Sequence, residues 1–341
     1  MSTKLLSTQT RSTQTRSTQT RSTQPPATQI QPPATPPAAA GAAGAGAAAH
    51  PPTTTARPPA GLPGVDEVAG RAGQENFPVA LRLLPRARRQ DLMSIYGFAR
   101  LVDQIGDAYP GDRLAALDWL DGQLDAALAG VEPAPALHRL VAAAAAVVAA
   151  HGLDPQPLRD LVAANRQDQL VKQYATFEDL TRYCRLSANP VGRLVLGIFG
   201  AATPERVAWS DDVCTGLQLA EHWQDVAEDA AAGRVYLPAQ DRQRFGVEVS
   251  DLLACPAPCV ARALLAFEVA RARTFLAAGT PLVSSLRGPA RLAVAGFVAG
   301  GLAALDGVAA AGFAGPSRPA PRRVAVHAVA VLRASPVAGR S

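Results

Sequence analysis

From Gln74 onward apolar residues recur at helical spacing, in long Ala/Leu/Val/Arg stretches with few β-branched alternations. That texture predicts eight to ten helices and no sheet. The segments are 86–108 (after Pro85), 112–129, 135–150, 156–172, 177–199, 204–231, 240–253, 258–278 and 285–312. Pro110–Gly111, Gly152 to Pro157 and Gly279 to Pro281 mark joins between them. Upstream the periodicity vanishes. STQTR repeats three times from Ser7 to Arg21 and starts again at Ser22, and Pro-rich and Ala/Gly-rich runs follow. So few large apolar residues cannot offset the entropy of ordering, so a disordered N-terminal tail is expected over residues 1–65. Its Arg, Ser and Thr without acids also fit an organelle transit peptide, and a start placed too far upstream is a third account. The apolar stretch of a secretory signal is missing. The expected organisation is this tail, a helical domain over 66–315 and a basic C-terminal tail over 316–341.

Two apolar runs bear on the membrane. One covers Val141 to Ala150, and the other covers Leu292 to Leu305 before Asp306 interrupts it. Spans need ~20 apolar residues, and shorter runs are more often buried helices. The chain is therefore expected to be soluble or peripheral, with the Gly-rich last helix packing closely against neighbours.

At 341 residues the chain has room for one large domain or two modest ones. With 48 % apolar and 18 % charged residues it is neither disordered throughout nor a collagen-like or disulfide-scaffold chain. The net charge of +5 is unevenly placed. Five basic residues and no acid lie in 1–60, and five arginines (Arg318, Arg322, Arg323, Arg333, Arg340) follow Asp306. The body keeps 23 of the 33 basic residues against all 28 acids, a net of −5. A slightly acidic body between basic tails is a poor footprint for nucleic acid, which needs basic groups massed on the folded part, so no nucleic-acid partner is expected. The tails suit an anionic membrane surface instead. Four cysteines (Cys184, Cys214, Cys255, Cys259) without a secretory leader fit a reducing compartment and no disulfide framework. No Cys or His pair at zinc spacing accompanies Cys255 and Cys259.

Chemistry concentrates in two segments. In DLMSIYGFARLVDQIGD (91–107), Asp103 and Asp107 stand four apart and share one helix face. Arg100 precedes them by three residues and Tyr96 lies a further turn back, while Leu92, Ile95, Phe98, Leu101, Val102 and Ile105 imply a largely buried helix. In LQLAEHWQDVAED (217–229), Glu221, Asp225 and Asp229 form an i, i+4, i+8 ladder, with Glu228 beside it and Gln218 above. Like charges at this spacing each destabilise a helix by ~0.2–0.5 kcal/mol. One such pair is usually a solvated face, but two stacks inside apolar helices ask for a cation. Opposed across a bundle, they form an all-oxygen site suited to magnesium, which keeps waters and completes its shell with substrate phosphates. The five histidines are scattered; His222, beside Glu221 but turned about 100° around the helix, reads as a packing residue or as a support behind the carboxylates, and Trp223 reads as core. Carboxylate-bound magnesium in an apolar cavity could act on a diphosphate leaving group and leave a carbocation. Apolar walls would hold a long isoprenoid tail and exclude stray water, the faces of Phe77, Tyr96 and Tyr183 would stabilise the cation, and Arg100 would grip the diphosphate.

ENFPVALRLLP (75–85), YGFARLVDQIGD (96–107), YCRLSANPVGRL (183–194), LQLAEHWQDVAED (217–229) and GRVYLP (233–238) resemble the squalene and phytoene synthase family over residues 72–315. The resemblance implies an all-α, class I terpenoid synthase helical bundle with two aspartate-rich motifs facing a central cavity. ENFPVA, SANPVG and EHWQDVAED are most similar to the bacterial hydroxysqualene synthase branch of hopanoid biosynthesis. That branch takes presqualene diphosphate, expels diphosphate with magnesium, rearranges the cation and captures water. The resemblance assigns Asp103, Asp107, Asp225 and Asp229 to catalysis with Arg100. It assigns the same four acids with Glu221 to more than one magnesium ion completed by the substrate diphosphate. Asn76, Phe77, Tyr96, Ser187, Gly192, Gln218, Arg234 and Tyr236 become substrate contacts. No nicotinamide is expected, since no Gly-rich dinucleotide motif is present. Gln104 replaces an aspartate common in the family, Glu221 an asparagine and Gln224 an arginine, and the last two weaken a claim to condense two farnesyl diphosphates. Full squalene or phytoene synthesis from two allylic diphosphates stays open as an alternative, as does a non-catalytic assembly factor. The lipophilic substrate and product imply a cytoplasmic protein at the inner face of a membrane, beside other squalene-pathway enzymes.

Overall fold

The structure, a computed structural model, describes residues 59, 61–62, 84–131, 138–312 and 320–334. The expected tail is outside the described residues apart from Pro59, Gly61 and Leu62, and so are Asn76 and Phe77. Among the described residues there are fourteen α-helices and no strand. They are α1 (Arg86–Ala108), α2 (Arg113–Leu128), α3 (His138–His151), α4 (Gln156–Leu170), α5 (Phe177–Ser187), α6 (Asn189–Ile198), α7 (Pro204–Gln224), α8 (Val226–Ala231), α9 (Ala239–Phe245), α10 (Val249–Leu252), α11 (Cys259–Gly279), α12 (Pro281–Ser285), α13 (Gly288–Ala310) and α14 (Pro321–Ala334). One isolated parallel bridge joins Gln173 to Val235.

Local chemistry explains the boundaries. α1 begins directly after Pro85 and buries Leu92, Ile95, Phe98, Leu101, Val102 and Ile105, the stripe that the periodicity predicts. Asp112 caps α2 by accepting from the Ala115 N–H at 3.0 Å, and Thr176 with Asp179 forms a capping box on α5. α7 is capped by Thr203 and packs on α6, α11 and α13. Its close approach to α11 requires glycine. A Cβ on Gly279 would lie 2.6 Å from the Trp209 carbonyl oxygen, and one on Gly216 would lie 2.8 Å from the Leu276 side chain.

Three segments differ from the periodicity reading. The stretch 177–199 divides at Ala188, because Pro190 at the start of α6 lacks an N–H and cannot continue the ladder. The stretch 204–231 divides at Asp225, which ends α7 and leads into α8, although the Asp225 N–H still bonds the Glu221 carbonyl at 3.0 Å. Gly246, with φ of +65°, separates α9 from α10. The helical body also extends past residue 315. Part of the expected C-terminal tail is α14, laid on α13 with Val331 buried. Arg291 donates to the Leu332 carbonyl at 2.9 Å, and His327 pairs with Asp306 at 2.7 Å. α13 is long and apolar enough to cross a membrane by length and composition, but 67 % of that window is buried in the bundle.

Candidate active site

A cavity of about 880 Å³ opens between α1, α4, α5, α6, α7, α8, α12 and α13. Eight of the residues expected at the site line it: Tyr96, Arg100, Asp103, Ser187, Gly192, Gln218, Glu221 and Asp225. The order along the helices gives the cavity two ends. On α7 the lining runs from Ser210, Val213 and Cys214 through Leu217 and Gln218 to Glu221, Gln224 and Asp225. On α1 it runs from Leu92 and Ile95 through Tyr96 to Arg100 and Asp103. Acids and Arg100 therefore gather at one end, while Leu196, Leu282, Val294 and Phe297 help close the other.

Asp107, Asp229 and Arg234 stand beside the acidic end. Arg234 donates to Asp107 at 2.6 Å and to Asp229 at 3.4 Å, so one guanidinium ties the first aspartate motif to the second. Burial pushes the Asp229 carboxyl up to about 6 against the opposing pull of Arg234, and burial with Glu228 nearby raises Asp225. Asp107 and Asp229 keep Arg234 firmly charged despite its partial burial. Asp103 receives the Asn165 amide at 3.2 Å and has the Arg100 guanidinium 3.7 Å away.

Behind this network lies a buried aromatic cluster around Asp168. Tyr183 donates to Asp168 at 2.6 Å and Tyr236 at 3.3 Å. Burial pushes the Asp168 carboxyl up to about 7, outweighing the hydrogen bond from Tyr183. Tyr236 stacks on His222 with centroids 3.7 Å apart, and Tyr174 packs on both tyrosines. Burial and the nearby Arg234 push His222 down to about 3, so it is a neutral packing ring. Trp223 is core. The sequence reading missed Asp168 and Asn165. Their signal is positional, since both occupy the stripe of α4 that otherwise carries Leu158, Leu161 and Val162.

Among the described residues no three His, Cys, Asp or Glu groups converge tightly enough to cage a metal alone. The donor set nevertheless fits a hard cation. Asp103, Glu221, Asp225 and Glu228 present only oxygen to one cavity, and burial first, with Glu228 adding to it, raises the Asp225 carboxyl, an environment that a cation would relieve. Magnesium, which takes few protein ligands and fills its shell with water and phosphate, matches such an open set.

A squalene/phytoene synthase family model matches residues 71–329. The chain is 35 % identical over 216 residues to a hydroxysqualene synthase of Rhodopseudomonas palustris, covering 62 % of this chain and 72 % of that protein. It is 33 % identical over 219 residues to a phytoene synthase of Arthrospira platensis, covering 59 % and 69 %. The crystal structure of squalene synthase HpnC from Alicyclobacillus acidocaldarius superposes with a TM-score of 0.66 at 39 % identity, over 74 % of this chain and 94 % of that one. A dehydrosqualene synthase bound to a ligand shares the fold, with a TM-score of 0.69 at 23 % identity over 79 % and 95 %.

Proposed function

Since the chain belongs to the squalene/phytoene synthase family, whose members process isoprenoid diphosphates, we propose that it converts presqualene diphosphate and water to hydroxysqualene and diphosphate. The observation that carries this is one cavity that has carboxylates of both motifs and Arg100 at one end and an apolar interior at the other. That is the polarity of a diphosphate head on a hydrocarbon tail. The hydroxysqualene synthase and HpnC relatives support the half-reaction, together with Glu221 and Gln224 in the second motif.

In this reading Arg100 and Arg234 hold the diphosphate oxygens, because a planar guanidinium matches them in charge and geometry. Asp103, Asp107, Glu221, Asp225 and Asp229 would hold magnesium, more than one ion, with the substrate diphosphate completing the shell. Bound there, magnesium would supply Lewis-acid stabilisation of the leaving diphosphate. Tyr96, Gly192 and Gln218 line the path of the hydrocarbon, and Tyr236 backs the acidic end through Asp168. Asn76 and Phe77 belong to the same proposal as substrate contacts, without nicotinamide. The lipophilic reactants favour work in the cytoplasm at the inner face of a membrane, beside other enzymes of the squalene pathway.

Incubation of the full chain with presqualene diphosphate and Mg²⁺, with lipid products read by mass, tests the reading. Hydroxysqualene is expected, and Asp225→Ala is expected to lower its rate by about a hundredfold or more, as loss of a charge-stabilising group at a reacting centre does. The 33 % identical phytoene synthase favours a second reading, condensation of two allylic diphosphates. Turnover of farnesyl or geranylgeranyl diphosphate alone would establish that one and overturn the first. Silence with every substrate would leave the assembly-factor reading.

A further inference from the structure

We propose that the outer face of α14, with Leu292 at the start of α13, is a docking surface for an anionic lipid bilayer. The inference gives residues to the membrane contact in the reading above, and it rests on that reading only for the lipophilic reactants that make such contact useful.

A surface helix ordinarily turns one apolar stripe inward and polar residues outward. α14 departs from this. Val324, Ala328, Val331 and Leu332 face the bundle, with Val331 buried and His327 reaching Asp306. Arginines pin both ends in this orientation: Arg323 donates to the Asp306 carbonyl at 2.8 Å, and Arg291 to the Leu332 carbonyl at 2.9 Å. The opposite face carries Arg322, Val326, Val329 and Arg333 at i, i+4, i+7 and i+11, all exposed, and this spacing holds them within ~60° of one another around the helix. Val326 keeps 61 % and Val329 46 % of its surface exposed, and the arginines are the polar members of the exposed set. Leu292, 41 % exposed, adds an aliphatic group at the end where Arg291 meets Leu332. Aliphatic side chains between arginines suit a helix lying in a lipid interface. The valines enter the acyl boundary, and the arginine stems reach back to the headgroup phosphates.

Charge selects the lipid. Residues 269–341 hold nine arginines and one acid, Asp306, which Arg273 and His327 already engage. A surface of one sign is drawn to anionic headgroups. A second copy docked about a two-fold axis would instead set these arginines against one another. The position of α14 also relates the bilayer to the cavity. Val331 shares an apolar cluster with Leu282 and Val294, which line the cavity's apolar end. α14 therefore lies on the outer side of the wall that closes that end.

Sedimentation of the full chain with vesicles of phosphatidylglycerol and phosphatidylcholine in equal parts tests the surface, with phosphatidylcholine alone as reference. Wild type is expected to bind the anionic vesicles and to be released as salt rises. Arg322→Gln with Arg333→Gln is expected to lower the partition by about tenfold or more, and Val326→Asp with Val329→Asp by at least as much. All four positions are exposed, so circular dichroism is expected to show an intact fold. Should the aspartate pair unfold the chain, the glutamine pair decides. Undiminished binding by either folded pair overturns the inference and assigns the contact to the basic tails, whose charges both pairs keep. Absence of wild-type binding overturns it too, as does self-association that the aspartate pair abolishes. Partition is read without substrate, so these outcomes are separate from the turnover of presqualene diphosphate, whose failure would overturn the reaction alone.

Discussion

Asp168 accepts hydrogen bonds from two tyrosines and still has its carboxyl pushed up to about 7, because burial outweighs them. Its folded value lies above the ordinary 3.8, so the stability linked to it is complete below about 3.8 and is lost as the pH rises through about 7. Asp168→Asn removes that dependence. Relative to wild type, the variant is expected to gain roughly 2–3 kcal/mol between pH 5 and pH 8, read by denaturant unfolding at both values. An unchanged difference between the two proteins would show that Asp168 does not titrate in this window. At this scale the sequence was a partial guide. Asp103 and Asp225 stand out because each has an acidic neighbour four residues away inside an apolar stripe. Asp168 lies in RQDQL, where polar neighbours disguise a core-facing position as solvated surface.

Among the helices, those bounded by Pro, Gly or a capping residue were legible to within about three residues, since these residues act through local sterics and hydrogen bonding. The break at Asp225 was not, because the backbone hydrogen bonds on either side preserve the helical spacing that the sequence displays. α14 was missed for another reason. PRRVAVHAVAVLRA carries its arginines and proline conspicuously and its buried contact, Val331, inconspicuously. Contacts between helices depend on what is absent as much as on what is present. Gly279 faces α7 with its backbone and has a φ that any residue can adopt, so Gly279→Ala tests the approach alone. The Trp209 carbonyl and Val213 amide cannot rotate away as a side chain could. The added methyl is expected to destabilise the protein by about 1–3 kcal/mol, a fall of several degrees in melting temperature. An unchanged melting temperature would mean that α7 and α11 separate freely.

Over the whole molecule, one apolar cluster joins α1–α4 to α6, a second gathers α5, α7 and α11 with the end of α13, and a third holds α12, α14 and the start of α13. The cavity draws its apolar wall mainly from the first and third. Its acidic end is where α1 meets the α7–α8 junction, and there Arg234 spans the gap from Asp107 to Asp229. Arg234→Gln leaves two carboxylates facing each other. A loss of roughly 1–2 kcal/mol is expected, limited by partial solvent exposure, and millimolar Mg²⁺ is expected to recover more stability in the variant than it adds to wild type. Equal gains in paired thermal melts would mean that Arg234 is not the resident counter-ion of the motifs. The all-helical fold and both motifs were legible because they are periodic. This bridge was not, because it joins residues 127 positions apart.

A built-in cation between the motifs changes what loading means. In small zinc domains the apo chain is unfolded, and binding energy is folding energy. Here the chain brings its own occupant, Arg234 between Asp107 and Asp229, so an arriving metal would compete with a tethered rival for the same oxygens. Apparent affinity would then measure a displacement, the difference between two cations. Each release of product would return the guanidinium to its seat, resetting the site without exposing bare acid to bare acid.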